Sequence, residues 1–109
     1  LKVESGGIKT LLTGDIGNRA EASIVASFDV DVDVLKVGHH GSRYSTSPEF
    51  LSEITPAIAV IQVGQNRFGH PTPNTLQRLW GAGSSVYRND EDGRVVVVAK
   101  DGVMGIKLE

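Results

Sequence analysis

The stretch Val34-Leu35-Lys36-Val37-Gly38-His39-His40-Gly41-Ser42 decides the fold class. Its first four residues are mostly apolar, with acidic residues before them and a glycine after, the signature of a short strand buried in a sheet. The two histidines come just past the end of that strand. Sheets of alternating strands and helices place their ligands in such loops, beyond the carboxyl ends of the strands. One segment of nine residues thus joins a predicted strand to a predicted site.

Upstream, Leu1 to Glu4 and Ile8 to Thr13 flank Gly6-Gly7, the spacing of a two-residue hairpin turn. From Asn18 to Phe28 the apolar positions recur at helical spacing, with Asn18 as N-cap and Glu21 as its capping-box partner. Asp29, Asp31 and Asp33 alternate and read as a solvated acidic turn. Downstream, Ser47 as N-cap and Pro48 at the first helical position open a helix to about Ile54. Ala57 to Val63 is a second buried strand. A helix from Asn74 to about Trp80 follows, ended by Gly81 and Gly83, with Trp80 in the core. Ser85–Arg88, Val95–Ala99 and Met104–Leu108 are the last strands, the valines 95 to 98 buried, with Asp92-Gly93 and Asp101-Gly102 as turns of a closing meander. This order predicts a single α/β domain over residues 1–109, with a mixed sheet and flanking helices.

Composition bounds the chemistry. The 109 residues are 39% hydrophobic and 22% charged, within the globular range. Eleven basic against thirteen acidic residues give a formal charge of −2, so no broad basic field is available to hold nucleic acid. The chain contains no cysteine, which excludes disulfides, thiolate metal sites and thiol nucleophiles. Any metal would sit on histidine, aspartate or glutamate. No run approaches the roughly 20 apolar residues of a membrane span, and a soluble piece is expected. Beginning at Leu1 within a strand-like run, it reads as a segment of something longer.

Three loops carry the candidate chemistry. In Leu12-Thr13-Gly14-Asp15 a carboxylate follows a buried strand and could bridge two hard cations, or simply close a turn. In Gly38-His39-His40-Gly41-Ser42 one imidazole could meet a metal while the other meets a second partner, or the pair could form a hydrogen-bonded turn. Ser42 lacks the Gly-x-Ser-x-Gly elbow of a serine nucleophile. In Phe68-Gly69-His70-Pro71 the histidine is fixed between glycine and proline and could be a ligand, a phosphate donor or a general acid. All three histidines of the chain, and the Gly-Asp pair, fall at strand ends.

These motifs in this order, with Ser45-Thr46-Ser47-Pro48-Glu49-Phe50-Leu51 between the second and third loops and Val86-Tyr87-Arg88 before Asp90-Glu91-Asp92-Gly93, resemble the C-terminal part of the metallo-β-lactamase-like domain of ComEC-type competence proteins. The match spans roughly residues 8 to 98. The resemblance implies the C-terminal half of an αββα sandwich bearing a two-metal hydrolase site at one edge, loaded with zinc or manganese. It makes Asp15 the bridging aspartate and puts the last metal histidine in the pair His39-His40, His39 favoured as ligand and His40 beside it. It places His70 and Ser42 at the substrate, so that Asp15, His39, His40 and His70 form the catalytic set. The implied activity is nuclease action on single-stranded DNA during uptake, and the implied setting is the extracytoplasmic side of a bacterial inner membrane.

The family's main metal motif, His-x-His-x-Asp-His, does not occur here. This chain is therefore expected to hold at most half of a dinuclear site, to need the N-terminal half of the domain, and to be inactive alone. Half a sandwich would also leave one sheet face open, which favours a homodimer of the piece. The alternatives are a metallo-hydrolase of a small ester or phosphodiester, and an inactive binding module of a membrane channel.

Overall fold

In a computed structural model of the chain, residues 2–14, 21, 23, 32–42, 46–64 and 69–108 are described, apart from the side chains of Lys2 and His39. Strands β1 (Lys2–Ser5) and β2 (Ile8–Leu12) form the predicted hairpin, and Gly6 and Gly7 supply its turn at φ of +59° and +79°. Next come β3 (Val34–Lys36), a 3-10 turn at Gly38–Gly41, helix α1 (Pro48–Ile54) and β4 (Ile58–Ile61). Helix α2 (Pro73–Gly81), β5 (Ser85–Arg88), the one-turn helix α3 (Asn89–Asp92), β6 (Val95–Lys100) and β7 (Val103–Leu108) complete the order.

The chain is a mixed α/β structure with a five-stranded mixed sheet. Five strands lie in the order β1-β2-β3-β4-β5, antiparallel between β1 and β2 and parallel from β2 through β5. Alternate residues of the strands face opposite layers, as a pleated strand requires. Leu11, Leu35, Ala59 and Ile61 pack with Phe50, Leu51 and Ile54 of α1 and Leu79 of α2. Ile8, Val34, Ile58 and Val60 pack with Val97, Ala99, Met104 and Ile106 of the β6–β7 hairpin. Helices therefore cover one face of the sheet and the hairpin covers the other. Gly102 N–H donates to Gly6 O at 2.8 Å, and a Cβ on Gly6 would lie 2.5 Å from Ala99 O, so the two hairpin turns dock tightly.

Several expectations are corrected. The last three strands are not one meander, because β5 belongs to the large sheet and β6–β7 forms a separate two-stranded sheet. Asp92-Gly93 is accordingly not a hairpin turn. Asp92 Oδ2 accepts Arg88 N–H at 2.8 Å and the chain curls into α3 instead. Trp80 is 59% exposed, because α2 turns Thr75 and Leu79 inward and the residue after Leu79 outward. Valines 95–97 are only half-buried and Val98 is 53% exposed, since the hairpin has one face on the sheet and one in solvent. Helix α2 begins at Pro73 rather than Asn74, with the Thr72 side chain capping Thr75 N–H.

Asp33 is no solvated turn residue. Its carboxylate accepts Lys9 N–H at 2.9 Å, its N–H donates to Lys9 O at 2.9 Å, and its carbonyl accepts from Ala57 and Ile58. It thereby staples the starts of β2, β3 and β4. Asp29 and Asp31 lie outside the described residues. So does most of the expected helix from Asn18 to Phe28, of which Glu21 and Ser23 are helical.

Glu21 is 1% exposed, and its carboxylate accepts the N–H groups of Thr46 and Ser47 immediately before α1. Ser47 itself caps the helix as expected, accepting Phe50 N–H at 3.1 Å. Burial raises the Glu21 pKa above the ordinary value of 4.5, against the opposing pull of the two N–H donors and of Arg78. The folded chain thus binds this proton more tightly than the unfolded chain. Stability contributed by Glu21 is present below about pH 4.5 and lost as pH rises through the raised folded value. Denaturant titrations from pH 4 upward are expected to show this decline in the parent chain, and a Glu21→Gln variant is expected to lack it.

Candidate functional site

Parallel pairing of β2 through β5 brings four carboxyl ends to one edge of the sheet. The residues that follow those ends are Thr13 and Gly14, Val37 to Ser42, Gln62 to Gly64, and Asn89. The loops singled out from the sequence are therefore gathered on one edge, and hydrogen bonds lock them. Thr13 Oγ1 donates to Lys36 O at 2.7 Å, tying the end of β2 to the end of β3. Val63 N–H donates to Asn89 Oδ1 at 2.6 Å, tying the end of β4 to the start of α3.

The histidine loop and the Gly-His-Pro loop meet directly. Thr72 N–H donates to Gly41 O at 3.0 Å and Thr75 Oγ1 donates to Ser42 O at 3.1 Å. Gly41 has φ of +83°, and a Cβ there would fall 2.5 Å from Pro71 Cβ, so only glycine lets the loops close. His70, half-buried, precedes Pro71 through a cis peptide bond. The hydroxyls of Thr13, Thr72 and Thr75 were not singled out as positioning groups from the sequence. Only Thr72, before a proline at the head of a helix, carried a local signal, that of an N-cap.

His40 is exposed at φ of +53°, and its Nδ1 lies 2.7 Å from Gln62 O. A carbonyl oxygen only accepts, so Nδ1 carries the hydrogen and the neutral ring has its lone pair on Nε2. Metal-binding histidines are commonly fixed this way, by donating the other ring N–H to a carbonyl. Ser42, expected at the substrate, is buried to 2% exposure beneath this loop. Asp15 lies outside the described residues, as does the side chain of His39.

Among the described residues no group of three or more histidine, aspartate or glutamate side chains converges as a metal site. A catalytic zinc takes three protein ligands, and these residues offer the imidazole of His40 in a suitable tautomer. They do not by themselves fit a pair of ions.

Beside the edge, Arg88 organises the acidic turn. It forms a two-pronged pair with Asp90, Nε to Oδ1 at 3.0 Å and Nη2 to Oδ2 at 2.7 Å, and its Nη1 lies 3.3 Å from Glu91. That hydrogen-bonded guanidinium holds the Asp90 carboxyl below the usual carboxylate range.

The chain is 40% identical over 97 residues to ComE operon protein 3 of Bacillus subtilis, covering 87% of this chain and 12% of that protein. It is 36% identical over 96 residues to competence protein ComA of Neisseria gonorrhoeae, covering 85% of this chain and 14% of that protein. Its relatives are competence and recombination proteins. Recombination protein 2 of Haemophilus influenzae is 38% identical over 96 residues, covering 87% of this chain and 12% of that protein. The chain thus spans about one eighth of the length of the curated relatives it matches. No protein-family model matches it. No helix among the described residues is long and apolar enough to cross a membrane.

Gly41→Ala is expected to part the two histidine-bearing loops. The strained φ and the clash with Pro71 together should cost about 2 kcal/mol or more, read as a lowered denaturation midpoint, and the amide resonances of Gly38–Ser42 and Pro71–Thr75 should shift together.

Proposed function

We propose that the chain is part of a competence protein and serves DNA uptake, supplying the carboxyl-edge loops of a metal-dependent phosphodiesterase site. The observation that carries this reading is the packing of the histidine loop against the Gly-His-Pro loop through Gly41 and Pro71, with His40 held in a ligand-competent tautomer. Similarity to competence proteins over more than four fifths of the chain supports the biological setting. In this reading the fold is the C-terminal half of a metallo-β-lactamase-like sandwich. The N-terminal half would lie against the hairpin side, where Val98, Val103 and Leu108 are exposed, and that surface would otherwise favour self-association.

Asp15, one or both of His39 and His40, and ligands from the preceding half would hold two divalent ions, zinc or manganese. When bound, such ions supply an activated water and stabilise charge on a phosphodiester in line for displacement. His40 contributes an imidazole whose direction is set by Gln62. His70, on the loop whose Pro71 packs against Gly41, would donate a proton or hydrogen bond to the strand being cut, and Ser42 would steady that loop through its carbonyl. The domain would face the extracytoplasmic side of a bacterial inner membrane and act on single-stranded DNA.

The test compares this chain with a polypeptide that also includes the sequence preceding Leu1. The longer form is expected to bind two manganese ions by calorimetry and to cut a single-stranded oligonucleotide, while the 109-residue chain does neither well. His40→Ala in the longer form should lower cleavage by roughly 10²-fold or more, the scale on which lost catalytic groups act. A longer form that binds no metal and cuts nothing would favour a binding module instead.

A further inference from the structure

A cavity of about 490 Å³ opens beside the histidine loop, on the hairpin side of the sheet. Its walls include Lys36 from the end of β3, Gln62 past the end of β4, Asn89 at the start of α3, and Arg94 leading into β6. Lys36 reaches it because it follows Val34 by two residues and so shares the strand face that looks toward the hairpin. Val60, whose side chain faces the hairpin, and the neighbouring Ile61 also line it. This is the size of a small-molecule site, roughly 300–1,000 Å³.

Its chemistry is that of an anion site. The described lining carries two cations and no carboxylate. Among the described residues, the three acids of α3 are engaged by Arg88, through the pairs to Asp90 and Glu91 and the Arg88 N–H to Asp92. Asn89 spends its oxygen on Val63 N–H, which leaves its NH₂ as the group it can offer a ligand. Gln62, on the rim, is the residue whose carbonyl holds His40, so the cavity and that imidazole adjoin.

We propose that this cavity is a phosphate subsite in which Lys36, Arg94 and the Asn89 amide grip a backbone phosphodiester of single-stranded DNA one step from the His40 loop. The choice of polymer rests on the DNA-uptake reading; the anion does not. A paired lysine and arginine at one point resolve how a chain of net charge −2 can hold a polyanion without a basic field. The lysine supplies a point charge and the arginine a planar fork, the two usual grips on phosphate.

The experiment measures binding of a fluorescent oligothymidylate to the 109-residue chain by anisotropy over a salt series, with Lys36→Gln and Arg94→Gln separately and together. Each single change should reduce the slope of log affinity against log salt by about 0.7, the value for one phosphate contact on a single strand. The double variant should bind about tenfold or more weakly, and the charge-keeping pair Lys36→Arg and Arg94→Lys should recover most of the loss. Thermal melts confirm that each variant folds. A double variant that matches the parent in affinity and slope overturns the subsite, as does a chain that binds neither oligonucleotide nor thymidine 5′-monophosphate. Binding of the mononucleotide alone, lost in the double variant, would uphold the anion subsite while removing the DNA reading.

Discussion

Leu11, Leu35, Ala59 and Val86 stand in register across the four parallel strands, the first three of them 4%, 0% and 0% exposed. A parallel sheet is stable only when both faces are covered. Here that row is sealed by α1 and α2, and the opposite row, built on Val34 and Ile58, is sealed by the β6–β7 hairpin. Parallel pairing has a second consequence. It directs every strand's carboxyl end to the same edge, so loops far apart in sequence become neighbours without further design.

The edge is then held by small polar groups rather than by charge. Thr13, Thr72 and Thr75 bind carbonyls of adjoining loops, and Gly41 lets Pro71 seat against it. Charge is managed separately, at the rim. Arg88 ties up Asp90 and Glu91, while Lys36 and Arg94 face a common cavity. Glu21, buried at 1% exposure, fixes the segment that leads from the histidine loop into α1. The result is a pre-shaped rim whose positive lining is local.

Much of the frame was legible because burial on both faces writes continuous apolar runs, as in Val34–Val37 and Ala57–Val63, and because Gly6-Gly7 can adopt the positive φ values that a tight hairpin needs. The size and apolarity of Trp80 point inside, whereas helical phase turns it outward once Leu79 is inward. Asp-Gly is a hairpin signal, but at Asp92-Gly93 the Asp92 side chain accepts the Arg88 N–H four residues back and favours a helical curl over a hairpin. Asp33 looked like one of three similar acids; its role depends on β2 and β4 flanking it, which no local pattern encodes. Of the candidate site, the clustering of the His40 and His70 loops was readable from their placement at strand ends. The lone cation Lys36 within an apolar strand was a signal that only the sheet's second face explains.

A divalent cation at the carboxyl edge remains our proposal, resting on the loops that parallel pairing gathers there. Paramagnetic broadening by manganese tests it most directly, recorded on amide resonances of the polypeptide that includes the sequence preceding Leu1. Substoichiometric manganese is expected to erase signals of Gly14, Gly38–Ser42, Gln62–Gly64 and Gly69–His70, and to spare Gly6 and Gly102 at the opposite end of the sheet. Broadening confined to the acidic turn at Asp90–Asp92, or spread evenly over the chain, would contradict it.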